Sequence, residues 1–148
     1  MTRINLGIDP RNLTDEHLLA EHREIKRIPS CYVKAKASGS INRIPEKFCL
    51  GRGHVLFFIN KPYITLPRYQ NLLSECKRRG FNVQDYSTNW DIYPNILPLE
   101  LYQPTEEDKA IIIHRITEKI VSSSKSYFHY EGKNISKEYA INLLKNEP

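Results

Sequence analysis

Apolar residues in this chain recur mainly at helical intervals. Over residues 14–28, Leu18, Leu19, Ile25 and Ile28 form one apolar stripe. Thr14 precedes it as an N-cap, and Asp15 and Glu16 place carboxylates in a first turn whose dipole they complement. His17, Glu21 and Glu24 fall at i, i+4 and i+7 and mark a polar face. Pro29 is expected to kink or end this helix, with Ser30 to Ala37 able to resume it before the Ser38-Gly39-Ser40 loop. A second helix is predicted from a Thr65 cap through Tyr69, Leu72, Leu73 and Cys76 to Arg78 and Arg79, with Gly80 as its stop and Phe81 folding back on the last turn. A third starts at a Thr105 cap, carries Glu106, Glu107 and Asp108 in its first turn and buries Ile112, Ile113, Ile116 and Ile120. Its Arg115 and Lys119 are expected on the solvent side. Ser136 to Lys145 is amphipathic enough for a short last helix.

The intervening segments are less regular. Gly7 and Pro10 make residues 1–13 an irregular arm. The run His54-Val-Leu-Phe-Phe-Ile59 is compatible with a buried strand or a short core helix, which periodicity does not separate at this length. Residues 82–103 read as a long polar loop anchored by Trp90, Tyr93 and Tyr102. Together these features predict three main helices with long irregular loops between them.

Charge narrows the partners. The 148 residues suit one domain, and 22 Lys plus Arg against 17 Asp plus Glu give a net charge of +5, which favours a polyanion such as nucleic acid. Cys31, Cys49 and Cys76 are widely spaced and read as buried thiols in a reducing cytosol. No stretch approaches the roughly 18 apolar residues of a membrane span, so a soluble cytoplasmic protein is expected. His17 and His22 flank Glu21, but i, i+5 spacing turns the two rings to different faces, and no metal site is predicted. Gly51-Arg52-Gly53 lacks the remaining residues of a phosphate loop. Tyr127, Phe128 and Tyr130 with Lys125 and Lys133 combine stacking faces and cations as single-strand or lesion binders do; packing against the core is the equal alternative.

Position 2 carries candidate chemistry. Thr2 is small enough for an aminopeptidase to remove Met1, freeing an α-amine with a reference pKa of about 7.7–8.0. A sizeable fraction of that amine is an unprotonated nucleophile near neutrality, whereas lysine at about 10.4 stays charged. A retained Met1 would block it.

Five blocks then resemble one family: Thr2-Arg-Ile-Asn-Leu6, His17-Leu-Leu-Ala-Glu-His-Arg-Glu24 with Arg27, Leu50-Gly-x-Gly-His-Val-x-Phe-Phe58, Glu75-Cys-x-x-Arg-Gly-Phe-Asn82 and Arg115-Ile-x-Glu-Lys-Ile120. In order and spacing they are similar to the phage endonuclease V family of pyrimidine-dimer DNA glycosylases, over about residues 1 to 133, with one extra residue between the arm and the first helix. The resemblance implies an all-α fold, a compact single domain with its N-terminal arm threaded between helices, and an enzyme that is both glycosylase and abasic-site lyase. It further implies a nucleophile at Thr2 and a catalytic carboxylate at Glu24. Arg23 and Arg27 match positions that grip the damaged strand, Arg3, Arg115 and Lys119 match phosphate contacts, and His17 matches a DNA-facing position. Glu16 and His22 stand at DNA-side positions where the phage archetype has glutamine and tyrosine. The implied partner is double-stranded DNA containing damaged bases, kinked at the lesion with a base ejected opposite it. The protein is expected to be a monomer without metal or organic cofactor. Residues 134–148 run beyond the archetype as a C-terminal extension. Two other readings stay open: a non-catalytic DNA-binding relative and a glycosylase for a different modified base.

Overall fold

The computed structural model describes residues 3–94 and 101–146. Helix α1 (Asp15–Ile25) begins where Thr14 Oγ1 accepts from the His17 N–H, and ends at Lys26. Helix α2 (Arg27–Ser38) follows at once. The break between them has a covalent cause, because Pro29 has no N–H for the Ile25 carbonyl, while Pro is tolerated in a first turn whose N–H groups lack helical partners. The ambiguous apolar run is helical: α3 (Gly53–Phe58) buries His54, Phe57 and Phe58.

Helix α4 (Pro62–Arg78) starts three residues before the expected Thr65 cap. Pro62 occupies the first turn, where its fixed φ suits a helix start, and Thr65 is internal, its Oγ1 accepting from Trp90 Nε1 at 3.0 Å. Gly80 at φ +85° and the Phe81 N–H bonded to the Cys76 carbonyl at 2.9 Å end the helix as expected. Helix α5 (Glu106–Ser122) carries a capping box between Thr105 and Asp108. The tail forms an antiparallel hairpin, β1 (Tyr127–Tyr130) with β2 (Lys133–Ser136), in the register Tyr127↔Ser136 to Tyr130↔Lys133. Helix α6 (Lys137–Leu144) starts at a Ser136 cap.

The fold among the described residues is mainly helical, but with six helices instead of three and with one two-stranded sheet. The hairpin escapes helical periodicity because strand pairing depends on a partner segment, and only Phe128 of β1 is fully buried. One core runs through the molecule: Ile4 from the arm, Leu18 and Ile25 from α1, Phe57 and Phe58 from α3, Tyr69 and Leu72 from α4, Ile112, Ile116 and Ile120 from α5, and Ala140 and Leu144 from α6. Residues 134–146 thus supply part of β2 and a helix packed on that core. Trp90 and Tyr93 anchor the loop after α4, with the Tyr93 hydroxyl donating to the Ile59 carbonyl at 2.6 Å. Cys76 is buried and Cys31 and Cys49 are half-buried, all three as free thiols. No described helix is long and apolar enough to cross a membrane.

Candidate active site

The arm lies inside the protein. Ile4 and Asn5 are buried; the Asn5 carbonyl accepts from the Ile8 N–H within the arm, and the other polar groups they bring in meet partners from other elements. The Ile4 N–H donates to His54 Nε2 at 2.9 Å, and the Ile4 carbonyl accepts from Arg115 Nη2 at 3.2 Å. The Asn5 N–H and Nδ2 donate to the two oxygens of Glu21 at 3.1 and 3.0 Å, while Asn5 Oδ1 accepts from Arg115 Nη2 at 2.8 Å. Farther along, the Ile8 carbonyl accepts from Arg68 Nη1.

Glu21 was expected on a polar face. It is 2% exposed, because that face of α1 packs against the arm, and Arg68 of α4 grips it with Nε and Nη2 at 2.8 and 2.9 Å. A buried charge pair of this kind is tolerated where hydrogen bonds satisfy its remaining lone pairs, as the Asn5 donors do here. Arg115 is likewise not on the solvent side of α5. It turns inward to the arm, and burial, aided by the Arg3 charge, lowers its pKa to about 10.

Beside this clamp, Arg3, Asn5, His17, Ala20, Glu21, Glu24, Arg115, Ile116 and Lys119 line a cleft of about 120 Å³. Arm, α1 and α5 each contribute to it, and Arg3, His17, Glu24, Arg115 and Lys119, which are scattered over 117 positions of sequence, come together there. His17 stacks on Phe128 of the hairpin with ring centroids 5.8 Å apart, its Nδ1 lies 2.7 Å from Thr14 Oγ1, and burial lowers its pKa. The remaining candidates lie elsewhere. Arg23 and Arg27 are exposed on the adjoining surface of α1 and α2. Glu16 faces the hairpin, where its oxygens accept from the His129 N–H at 2.9 and 3.2 Å. His22 is 3% exposed, sandwiched by Tyr69 and Tyr86 at 5.5 and 5.4 Å, so it offers no surface to a macromolecule. Thr2 lies outside the described residues; it is one peptide link, about 3.8 Å between Cα atoms, from Arg3 at the cleft.

Four residues of the clamp were not singled out in the sequence: Asn5, Glu21 as a buried acid, His54 and Arg68. Arg68 did carry a signal. It lies at i+3 from Thr65 and i−4 from Leu72, on the stripe that points into the core, and an arginine there needs a buried acid. Among the described residues no group of three His, Cys, Asp or Glu side chains is placed to hold a metal ion. A cationic cleft with the Glu21 and Glu24 carboxylates in its wall and Arg3 of the arm at its edge suits a reaction on a phosphate polymer. A family model described as pyrimidine dimer DNA glycosylase matches residues 1–89, well over half of the chain, and the protein belongs to that family.

Proposed function

We propose that the protein removes cyclobutane pyrimidine dimers from duplex DNA as a glycosylase with associated abasic-site lyase activity, through the α-amine of Thr2. The observation that carries this reading is the convergence of Arg3, His17, Glu24, Arg115 and Lys119 on one cleft beside the buried arm. The neutral amine forms a bond to the sugar C1′ of the 5′ pyrimidine while the C1′–N1 bond breaks, its electron pair leaving with the base. The base stays tethered to its neighbour through the cyclobutane ring. The amine then gives up a proton, the C1′–O4′ bond opens, and a protonated Schiff base remains. Removing a proton from C2′ sends electrons into that iminium and expels the 3′ phosphate oxygen, and hydrolysis of the imine restores the amine.

Glu24 is suited to two tasks in this sequence. Its carboxylate stabilises the positive charge that develops on the sugar, and it moves protons between amine, ring oxygen and C2′. Lys119, at the rim, and Arg3 face the flanking phosphates, and the exposed Arg23 and Arg27 extend that basic surface along α1 and α2.

Borohydride reduction during turnover on a dimer-containing duplex tests the reading. It is expected to leave a covalent protein–DNA adduct that mass mapping places on Thr2. An adduct on a lysine, or none, rejects the mechanism. In the same assay Glu24→Gln should abolish glycosylase turnover and leave duplex binding within a few-fold, since it removes charge and proton transfer without changing shape; retained turnover would release Glu24 from the role.

A further inference from the structure

We propose that His54 is a positioning residue for the N-terminal nucleophile: its neutral imidazole, fixed as the Nδ1–H tautomer by the Cys49 carbonyl, carries the Ile4 amide on Nε2 and so sets where the start of the chain meets Glu24. The inference rests on the reading of Thr2 as the nucleophile. The hydrogen bond on the Ile4 amide is obligatory. Ile4 has no exposed surface, a buried N–H requires an acceptor, and the one it has is His54 Nε2 at 2.9 Å. An imidazole that accepts at Nε2 keeps its proton on Nδ1, and Nδ1 lies 3.0 Å from the Cys49 carbonyl, which can only accept. The tautomer is therefore assigned by its two partners.

The ring has little freedom to turn. It is 1% exposed, with Phe48 and Phe58 packed edge-on at 5.6 and 5.3 Å. Gly53 lets the preceding turn close on it, since a Cβ there would sit 2.7 Å from Cys49 Sγ and 3.2 Å from Pro45. The charged groups facing the ring are Arg115 from α5, Arg3 from the arm and Glu21 from α1. Burial, with the Arg115 charge, lowers the pKa of His54 to about 4, so the accepting form is the one present at neutral pH. Protonation would put a donor at Nε2 opposite the Ile4 N–H donor. With Arg115 on the Ile4 carbonyl, both peptide groups of Ile4 are held, two chain steps of about 3.8 Å from Thr2. A placement error of about 1 Å is enough to cost on the order of a hundredfold in rate.

Two amide substitutions separate the roles of the two ring nitrogens. His54→Gln places an acceptor near the position of Nε2, whereas His54→Asn can replace only the Nδ1 donor to Cys49. In the full chain, His54→Gln is expected to keep slow hydrogen exchange at the Ile4 amide and kcat within about threefold. His54→Asn is expected to lose that protection and about tenfold or more in kcat, at unchanged KM. Lowering the pH toward 4 should expose the Ile4 amide in the unsubstituted protein and not in His54→Gln. Equal rates in all three proteins, or an Ile4 amide that exchanges slowly in His54→Asn, overturn the role of His54. Absence of turnover by the unsubstituted protein is a different result and overturns the proposed function itself.

Discussion

Two peripheral segments are docked on α1 by similar chemistry and to different ends. At the start of the helix, Asp15 accepts from the Glu131 and Gly132 N–H groups at 3.0 and 2.9 Å, and Glu16 accepts from that of His129, so carboxylates hold the turn and first strand of the hairpin. Arg79 completes this dock from α4: it reaches Asp15 at 2.9 Å, Glu75 at 2.8 Å and the Pro10 carbonyl at 3.1 Å, and lies 4.5 Å from the centre of the Tyr130 ring. Arg78 then carries the network outward, at 2.7 Å from Glu75 and 2.8 Å from Glu131. Two turns along, Glu21 with Arg68 holds the arm in the same way, carboxylate to N–H and guanidinium to carbonyl.

The difference is where each network ends. The hairpin dock opens to solvent through Arg78 and Glu131, which are about half exposed, and none of its charged residues lines the cleft. The arm dock is closed, and Asn5, Glu21 and Arg115 form part of the cleft wall. Water can replace lost partners only at the outer end of the first, since Arg79 at its centre is 0% exposed, whereas the second borders the cleft. The hairpin dock therefore bears on stability, and the arm dock also shapes the cleft.

The strongest challenge to this contrast is Arg68→Met, which strands the Glu21 carboxylate in the interior. A loss of about 3–5 kcal/mol is expected in denaturant unfolding, with turnover falling further than the unfolded fraction explains. A smaller loss would mean that water reaches Glu21. Acid should act on the arm dock next. Folding lowers the pKa of His54 from its ordinary 6.5 to about 4, so the unfolded chain takes up a proton that the folded one refuses between those values. The His54 contribution to stability should be constant above pH 6.5, fall by on the order of 3 kcal/mol as pH drops toward 4, and level off below it; burial also lowers the pKa of His17 and His22, so His54→Gln should remove its own part of the slope and leave theirs.

The hairpin dock should respond more mildly. Arg79→Met is expected to cost about 1–3 kcal/mol, because Arg78 and backbone donors remain for Glu75 and Asp15, and turnover by the folded fraction should stay near that of the unsubstituted protein. A collapse of turnover would tie the hairpin to the chemistry, most directly through Phe128 behind His17. Glu16→Gln should do least. The amide oxygen still accepts from the His129 N–H, so the loss is the charge at the helix start, about 0.3–1 kcal/mol in thermal unfolding. A larger loss would show that the charge of Glu16 itself holds the strand.

Much of the scaffold was legible along the chain because it depends on local rules. Thr14, Thr105 and Ser136 cap helices, Gly80 ends one, and the Ile112, Ile116 and Ile120 stripe is buried, each for reasons contained within a turn or two of helix. The family was legible in the five blocks, and they also contain Asn5, Glu21 and His54. Three elements were misread for want of distant partners. Pro62 starts α4 and leaves Thr65 free to accept from Trp90 across 25 positions, and β1 exists only because β2 pairs with it. His22 looked polar and is a core ring between two tyrosines.

What the sequence determined alone is therefore the set of helices with strong caps and stripes, the net positive charge, and the residue types able to do chemistry on DNA. What only the tertiary structure decided is which of those charges are spent on the fold. Arg115 and Lys119 share a helix face in sequence, yet one is drawn inward by the Ile4 carbonyl and Asn5 while the other stays at the rim. Glu21 and Glu24 are one turn apart, yet one is bound by Arg68 and the other lines the cleft. The physical reason is that a charge takes its role from its nearest opposite charge or backbone dipole, and here those partners lie 16 to 111 positions away, beyond any periodicity a helix imposes.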